Sequence, residues 1–384
     1  MGEISNKRQK EEKASSNYHR IVIKLGTNLV TGGRDSLNYE AMAELVGQVA
    51  QLNQQGLEVI LVSSGAVAAG KRRLGIQKKL RDIPFKQVLA SVGQAHLMQS
   101  YDQLFSRRGI ITAQALLTKA DFLNRSGYLN ARNTLLALLK LKVVPIINEN
   151  DVVAVDELEG ISFGDNDNLS AMVANLVDAD LLIILSDVAG LYTADPKRDA
   201  NAKLIPRVEK IDAFIESLAK GSSEGEGVGG MSTKIEAAKL ATASGTAVVL
   251  ADGREPNVIL RLINGEALGT FFPPTTSKLE SRKRWMLGLP AKGKIFIDSG
   301  AKTALQKQNK SLLPAGITGI EGEFERGDIV TIVDSNGDKV ACGISNYKSA
   351  DVEVIKGCRS DQILKLLGYE YGAEVVHRDN LVIL

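Results

Sequence analysis

A glycine-rich stretch that leads into a helical pattern is the part of this sequence best suited to hold a phosphate group. Residues 225–234 read Gly-Glu-Gly-Val-Gly-Gly-Met-Ser-Thr-Lys, and a helical pattern follows from Ile235. Glycine lets the backbone approach a bulky anion, and a helix start offers free N–H groups and the positive end of a dipole. We therefore expect a phosphate at this stretch. Taken alone, the run is also compatible with a flexible surface loop.

Two generic phosphate-binding motifs also match the chain, and both are rejected. The glycines in 225–230 have the spacing of the dinucleotide fingerprint, but that fingerprint follows a strand, and residues 219–224 have no strand pattern. Residues 65–71 resemble a Walker A loop, yet Arg72 stands where that loop needs a Ser or Thr for magnesium. The Ala-Val-Ala-Ala sequence inside this second match is typical of a helix.

Polar side chains gather where apolar strand patterns end. Helix capping explains one or two of them, but not the whole set. They are Lys24, Ser63, Ser64, Asn148, Glu149, Asn150, Asp151, Asp165, Asn166, Asp167, Asn168, Ser186 and Asp187. In open α/β sheets, ligands bind beyond the carboxyl ends of the strands, so we expect these side chains to line a ligand site.

The chemistry that this set suits is phosphoryl transfer. Lysines and backbone N–H groups neutralise phosphate charge, a carboxylate can hold two lysines in register, and Mg²⁺ would bridge the phosphates. None of these motifs contains a histidine. An alcohol acceptor usually needs a general base, whereas a carboxylate is already ionised at neutral pH. The residues therefore favour a carboxylate substrate.

The elements that must position these residues alternate between apolar strands and amphipathic helices. This alternation predicts an α/β fold, doubly wound, with a mainly parallel sheet and helices on both faces. The predicted strands are 21–26, 57–62, 109–117, 143–148, 181–185, 246–251 and 268–272. The predicted helices are 37–52 with Ser36 as its cap, 84–107, 129–141, 164–177 and 235–243. Beyond 273–277, the short strand patterns 327–333 and 339–344 flank a hairpin turn and predict a small C-terminal β-barrel-like domain.

Length and composition favour a two-domain protein with local rather than global charge. The chain has 384 residues, 44% of them hydrophobic, and 47 basic against 45 acidic residues give a net charge of +2. Two cysteines and three scattered histidines indicate no metal cluster and a reducing, cytoplasmic setting. The expected divisions are a disordered extension at 1–19, a catalytic domain at 20–272, a linker at 273–281 and the second domain at 282–384. No membrane segment or signal peptide is expected.

Six motifs in chain order resemble those of the glutamate 5-kinases, within the amino acid kinase superfamily. The motifs are Val22 to Gly26, Ser63 to Ala66, Ile147 to Asp151, Gly164 to Ala171, Gly190 to Pro196 and Gly229 to Lys234. The Gly-Asp-Asn-Asp-Asn and Gly-Gly-Met-Ser-Thr-Lys strings are specific, and the match spans roughly residues 20–272. The remainder resembles a PUA domain (pseudouridine synthase and archaeosine transglycosylase), with Arg282-Lys283-Arg284-Trp285 at its start.

The resemblance implies ATP-dependent phosphorylation of the L-glutamate side-chain carboxylate, the first step of proline biosynthesis. It implies that Lys24 and Lys234 flank the transferring phosphoryl group and that Asp167 orients them. It also implies which residues bind the two substrates. The residues implied to bind glutamate are Ser64, Asp151 and Asn166. The residues implied to bind ATP are Lys24, Ser186, Asp187, Val228, Gly229, Gly230, Met231, Ser232, Thr233 and Lys234. Family members also lead us to expect feedback inhibition by proline and a homo-oligomer.

Two other functions stay open at this point. A related kinase for another amino acid or for carbamate would share the lysines and the glycine loop. An RNA-binding protein would act through the PUA-like domain and would need a basic face with interleaved aromatic residues. Trp285 lies among basic residues, but one such cluster is more often a solvated linker, so nucleic acid is not expected as the main partner.

Overall fold

The protein is described here from a computed structural model, which covers residues 18–76, 83–154, 166–196, 198–221, 230–278, 280 and 290–384. The chain forms two compact units. The first contains residues up to 120 and 132–276, and the second contains 121–131 and 277–384. We had expected 121–131 within the catalytic domain, so its place in the second unit is a feature that the sequence pattern did not reveal. None of the described helices is long and apolar enough to cross a bilayer.

The first unit is built on a mostly parallel sheet. Its strands within the described residues are β1 Arg20–Leu25, β2 Glu58–Ser63, β3 Thr112–Leu117, β4 Val144–Glu149, β5 Leu181–Ser186, β6 Ala247–Asp252 and β7 Thr270–Phe272. The strand order is β3-β4-β2-β1-β5-β6-β7, and β7 alone in this sheet runs antiparallel to its neighbour. The predicted mainly parallel sheet is confirmed, and the direction of strand addition reverses beside β1.

Helices surround this sheet. Those of the first unit, together with two that contain residues 121–131, are α1 Thr27–Thr31, α2 Tyr39–Gln54, α3 Ala66–Leu74, α4 Ile83–Ser106, α5 Lys119–Leu123, α6 Arg125–Lys140, α7 Asn166–Leu176, α8 Ala213–Gly221, α9 Met231–Thr242 and α10 Val258–Ile263. The expected cap of α2 was wrong, because Asn38 rather than Ser36 accepts a hydrogen bond from the backbone N–H of Ala41 at 3.2 Å.

Strand β1 faces two different environments because successive side chains of a strand point to opposite faces. Ile21, Ile23 and Leu25 join a buried apolar cluster with α2, α4 and α10. Val22 and Lys24 therefore point to the other face. Lys24 reaches a carboxylate of α7 there, so α7 covers that face of the sheet. One lysine in an otherwise apolar strand thus enters a buried polar centre.

Helices α3 and α4 approach each other so closely that glycine is required at the contact. A Cβ atom added at Gly93 would lie 1.7 Å from the carbonyl oxygen of Ala66, and one at Gly70 would lie 1.9 Å from that of Leu89. Both obstacles are backbone atoms and cannot rotate away. Because α3 begins directly after Ser64 and Gly65, this contact fixes the helix that follows the end of β2.

The second unit is a small β-rich domain, as predicted. Its described strands are β8 Gly293–Ile297, β9 Ile317–Glu321, β10 Ile329–Val333, β11 Lys339–Ile344 and β12 Leu381–Ile383, in the order β12-β11-β10-β8-β9. Its described α-helices past residue 290 are α11 Ser299–Gln308, α12 Ser349–Ile355 and α13 Ile363–Leu367.

Segment 121–131 belongs to the second unit through apolar contacts and an ion pair. Leu129 is fully buried in a cluster with residues of β10, β11 and β12. Arg125 Nη1 lies 2.5 Å from Asp328 Oδ1, and Ser126 Oγ donates to the carbonyl oxygen of Arg326 at 3.1 Å. These contacts explain why residues 121–131 belong to the C-terminal unit although they lie far earlier in the chain.

We expect Gly93→Ala to destabilise the protein by about 3 kcal/mol or more, because the added methyl group must push two helix backbones apart. Gly47→Ala in α2 is the matched control. Its Cβ would meet only the flexible side chain of Arg108, at 3.1 Å, and alanine favours the helix by up to about 1 kcal/mol. Thermal unfolding followed by circular dichroism measures both variants. Equal midpoints for the two would contradict the close helix contact.

Candidate active site

The carboxylate of Asp167 lies between two lysines from distant parts of the chain. Lys24 Nζ is 2.6 Å from Asp167 Oδ1, and Lys234 Nζ is 3.1 Å from Asp167 Oδ2. Lys24 is 4% exposed and Lys234 is 7% exposed, while Asp167 is fully buried at 0%. Strand β1, helix α7 and helix α9 each supply one of them, and the predicted convergence of these groups is therefore observed in the structure.

Asp167 is ionised in this arrangement. Burial alone would raise the pKa of its carboxyl group, but Lys24 and Lys234 outweigh the burial and hold that pKa well below its usual range. Two ammonium groups face this carboxylate, and an incoming phosphate would meet both of them.

The start of α9 holds Asp167 from a third direction. Thr233 Oγ1 lies 2.8 Å from Asp167 Oδ2 and also 2.8 Å from the carbonyl oxygen of Gly230, while Lys234 Nζ donates to that same carbonyl oxygen at 3.4 Å. Gly230 stands at the N-cap position of the helix. The expected helix after the glycine run is thus present. Val228 and Gly229 lie outside the described residues.

A chain of amide groups connects the ends of β2 and β4 to α7. Asn166 Nδ2 donates to Ser64 Oγ at 2.7 Å and to Asn148 Oδ1 at 3.0 Å. Asn148 Nδ2 donates in turn to Gln94 Oε1 at 2.9 Å. Asn166 Oδ1 is buried and has no hydrogen-bond partner among the described residues. Of the residues expected to hold the substrate, Ser64 and Asn166 are therefore in direct contact.

Asp151, the third residue expected to hold the substrate, is a buried carboxyl group just beyond β4. It is only 9% exposed, although nothing in the sequence around it predicts a buried carboxyl group. Burial raises its pKa to about 6, and no described side chain pairs with it. Residues 155–165, which include Gly164 and Asp165 of the specific motif, lie outside the described part of the chain. Asp151 is therefore an acceptor that a cationic group of a ligand would satisfy.

A pocket of about 200 Å³ adjoins the lysine centre. Its lining includes Asp187, Tyr192, Pro196, Gly230, Met231 and Lys234. Two segments that the resemblance linked to ATP, 186–187 and 228–234, therefore supply lining residues to one cavity, together with the 190–196 motif. Ser186, the last residue of β5, directly precedes Asp187 in the chain and is buried. Its hydroxyl accepts a hydrogen bond from the backbone N–H of Val188 at 3.4 Å. Ser232 is partly buried in the first turn of α9.

Asp187 is held in place from outside the pocket. Asn28 Nδ2 donates to Asp187 Oδ2 at 2.9 Å, and Arg254 Nη2 donates to the carbonyl oxygen of Asp187 at 2.7 Å. The guanidinium of Arg254 is fixed by the carboxylate of Asp252, at 2.6 Å. Neither Asn28 nor Arg254 was expected from the sequence. Both lie in segments whose composition carries no phosphate-binding signal.

The rejected Walker-like segment takes no part in this centre. Residues Ala66–Leu74 form a helix, as expected from their composition. The side chain of Lys71 pairs instead with the exposed carboxylate of Asp35 at 3.2 Å.

Comparison with known proteins agrees with this geometry. Residues 19–252 match the amino acid kinase family, and residues 293–367 match the PUA domain. The chain belongs to the amino acid kinase family. The glutamate 5-kinase of Dehalococcoides mccartyi is 56% identical over 368 residues, which are 96% of this chain and 99% of that protein. The glutamate 5-kinase of Herpetosiphon aurantiacus is 53% identical over 366 residues, which are 95% of this chain and 98% of that protein.

The resemblance to glutamate 5-kinases carried by the six motifs is thereby confirmed for this member of the amino acid kinase family. Among solved structures, the UMP kinase of Bacillus anthracis matches with a TM-score of 0.45 and 16% identity, over 67% of this chain and 97% of that protein. The PUA match likewise confirms the expected type of the second domain.

Two polar residues of this kinase-family site were not assigned from the sequence. Asn148 stood among the polar residues at strand ends, but nothing in its position separated it from a capping residue. Gln94 lies in the middle of α4, far from every motif. Only the fold brings it beside the end of β4, so no sequence pattern in this chain identifies it.

We expect Asp151→Asn to stabilise the ligand-free protein at neutral pH. The pKa of Asp151 is raised on folding, so its ionised form carries a penalty that develops between about pH 4 and about pH 6 and is constant above that range. The difference between its ordinary pKa and a pKa of about 6 corresponds to roughly 2–3 kcal/mol. The variant should therefore unfold at a higher temperature at pH 7.5, and the gain should disappear near pH 4.

Asp35→Asn serves as the control for this measurement, because Asp35 is an exposed carboxylate. Removing its surface ion pair with Lys71 should change stability by less than about 1 kcal/mol. An Asp151→Asn protein that is less stable than the unsubstituted protein at pH 7.5 would show that Asp151 has a stabilising partner in the ligand-free state.

Proposed function

We infer that this protein transfers the γ-phosphoryl group of ATP to the side-chain carboxylate of L-glutamate, forming L-glutamyl 5-phosphate in the first step of proline biosynthesis. The observation that carries this inference is the pair of buried lysines bridged by Asp167. The relatives that match this chain over nearly their whole length are named glutamate 5-kinases. Full-length coverage supports the same activity for this protein.

The reaction needs positioned positive charge more than it needs a general base. A carboxylate oxygen of glutamate attacks the γ-phosphorus, a new P–O bond forms, and the bond to the β-phosphate oxygen breaks as ADP leaves with the electron pair. Lys24 and Lys234 neutralise charge on the transferring group, and Asp167 keeps their ammonium groups at fixed positions. The attacking carboxylate is already ionised at neutral pH, so no proton must be removed.

ATP is assigned to the pocket beside Lys234. Asp187, Gly230 and Met231 line this pocket, and Lys234 reaches both the pocket and Asp167. We propose that Ser186 and Thr233, which directly precede the lining residues Asp187 and Lys234 in the chain, also contribute to it. The start of α9 adds free backbone N–H groups and the positive end of a helix dipole. We propose the same role for Val228, Gly229 and Ser232 on the basis of the motif.

Magnesium is proposed to reach the site on the phosphates of ATP. The described residues contain no group of three or more His, Cys, Asp or Glu side chains that could hold a metal ion. Asp167 is also committed to two lysines. A nucleotide-bound Mg²⁺ keeps several waters and needs few protein ligands, which fits this set of residues.

The amino acid is assigned to the other side of the lysine centre. Asp151 and Asn166 Oδ1 are acceptors without described partners, and an α-ammonium group carries three N–H donors. Ser64 holds Asn166 in position. Inhibition by proline and assembly into a homo-oligomer are further proposals that rest on family resemblance alone.

The activity is tested by trapping the acyl phosphate. Purified protein with ATP and Mg²⁺ should form γ-glutamyl hydroxamate from L-glutamate and hydroxylamine well above a no-enzyme control. Aspartate, carbamate and other carboxylates in the same assay separate the related kinases. If one of these substrates reacts and L-glutamate does not, the inferred substrate is wrong while the phosphoryl-transfer site stands.

Removing the charge of either central lysine should slow the chemical step more than it weakens substrate binding. Lys24→Met and Lys234→Met keep most of the side-chain length, and each should lower kcat by about 100-fold or more, because a preorganised charge acts on the transition state. The KM for glutamate should change less. Steady-state kinetics with both substrates varied measures this.

Lys71→Met is the control, since Lys71 lies in a surface ion pair away from Asp167. It should lower kcat by less than about tenfold. A protein that loses turnover with Lys71→Met but keeps it with Lys234→Met would place the phosphate site at residues 65–71 instead.

A further inference from the structure

We infer that Gln94 is a positioning residue that sets which atom of Asn166 faces the amino-acid substrate. This inference rests on the proposed function. Gln94 does not touch the reacting atoms in this assignment. It acts through Asn148, which donates a hydrogen bond to Gln94 and accepts one from Asn166. The orientation of the Gln94 amide thereby determines that of Asn148, and Asn148 determines that of Asn166.

The hydrogen-bonded chain of amides has a direction. Each amide offers donors at its nitrogen and acceptors at its oxygen, so one orientation determines the next. As observed, Gln94 Oε1 accepts from Asn148 Nδ2, and Asn148 Oδ1 accepts from Asn166 Nδ2. Both hydrogens of Asn166 Nδ2 are then used, because the second goes to Ser64 Oγ. The oxygen of Asn166 is the atom left for a ligand.

The reversed chain would satisfy the same protein atoms. Gln94 would then donate to Asn148, Asn148 would donate to Asn166 Oδ1, and Ser64 would turn its hydroxyl to donate as well. In that state, Asn166 would present an NH₂ group instead of its oxygen. The protein must therefore select one direction, and the selection decides what the substrate meets.

Among the described partners, the far end of the chain is the place where that selection is made. Ser64 cannot make it, because its hydroxyl hydrogen rotates freely and so fits either direction. Asn148 and Asn166 cannot make it either, because each is an interior link and is 3% and 2% exposed respectively. Gln94 is the terminal amide and lies on a separate helix. It also carries a donor and an acceptor, but it can change the group that it presents only by turning its whole amide, and in the observed direction it presents its oxygen to Asn148. The group presented at position 94 therefore sets the direction of the chain.

The direction of the amide chain matters because the substrate carries an α-ammonium group. The buried oxygen of Asn166 has no hydrogen-bond partner among the described residues and can accept a hydrogen bond from the α-ammonium group of an amino acid. The reversed chain would place N–H donors against that cation and would leave both groups unsatisfied. Sites built to hydrogen-bond a substrate N–H discriminate strongly against analogues that lack it. Gln94 should therefore affect both affinity for glutamate and selection against glutarate, which has no amino group.

Three substitutions at Gln94 separate hydrogen-bond direction from charge. Gln94→Glu offers only acceptors and should keep the observed direction, so its KM for L-glutamate should stay within about threefold of the unsubstituted protein. Gln94→Lys offers only donors and should reverse the chain, raising that KM by about tenfold or more. Gln94→Met removes the anchor and should fall between them. Simple attraction of the glutamate anion would give the opposite order, with Lys best and Glu worst.

The kinetic readouts distinguish positioning from general damage. The KM for ATP should stay unchanged in all three variants, kcat should stay within about threefold, and the preference for L-glutamate over glutarate should fall with Gln94→Lys and Gln94→Met. Gln103→Met is the matched control, because Gln103 is an exposed residue of the same helix. It should change none of these quantities. Thermal unfolding of each variant checks that the fold is retained.

The outcomes separate this inference from the function on which it rests. Failure of the unsubstituted protein to phosphorylate L-glutamate would overturn both. Normal turnover together with unchanged KM values and an unchanged glutamate preference in Gln94→Lys and Gln94→Met would overturn only the role of Gln94. Equal losses for glutamate and glutarate, or a ranking that follows charge, would also reject it.

Discussion

The arrangement of the first unit depends on one carboxylate that two lysines share. Asp167 is fully buried, and Lys24 and Lys234 are almost so. Taking any one of these charges out of water without a partner would cost several kcal/mol. The strand, the helix and the helix start that carry them must therefore meet with little freedom. Because both ammonium groups are held at this carboxylate, a nucleotide phosphate would meet two cationic groups at fixed positions.

A second constraint is polar but uncharged. The amides of Asn148, Asn166 and Gln94 are linked in a single direction, and Ser64 ends the chain. Such a network gives little net stability, since each hydrogen bond contributes only about 1 kcal/mol. Its importance is in orientation, because a buried amide in the wrong direction leaves donors facing donors. The charged centre thus suits the phosphoryl group, and the amide chain suits the amino acid.

The sequence predicted the charged centre better than the neutral network, for a physical reason. Lys24 interrupts a strand that is otherwise apolar, and Lys234 opens a helix after glycines, so each breaks a local pattern in a visible way. Asp167 stood in a loop too rich in amides and carboxylates for capping alone. Gln94 breaks no pattern, because a glutamine on a helix is ordinary unless its spatial neighbours are known.

The fold itself was predictable where burial controls the pattern and less so elsewhere. Buried strands and their order of appearance follow from apolar runs, whereas a cap depends on one local hydrogen bond. Asn38 in place of Ser36 shows this difference. Segment 121–131 was missed because its place in the second unit depends on contacts such as Leu129 with residues of β10 to β12 and Arg125 with Asp328. No local pattern encodes partners that lie so far along the chain.

Asp151 is a residue that lowers the stability of the ligand-free protein but would strengthen the binding of a cationic ligand. A carboxyl group whose pKa is raised to about 6 by burial destabilises the ligand-free protein at neutral pH. The same burial strengthens its attraction for an ammonium group, because solvent screens the pair less. The lysine centre offers groups of the opposite sign, since its two buried ammonium groups would meet the phosphates of a nucleotide. The described part of the site thus offers a buried carboxyl group on one side and two buried ammonium groups on the other. An amino acid and a nucleotide would bind to these groups separately, and each would therefore stabilise the folded first unit when it binds.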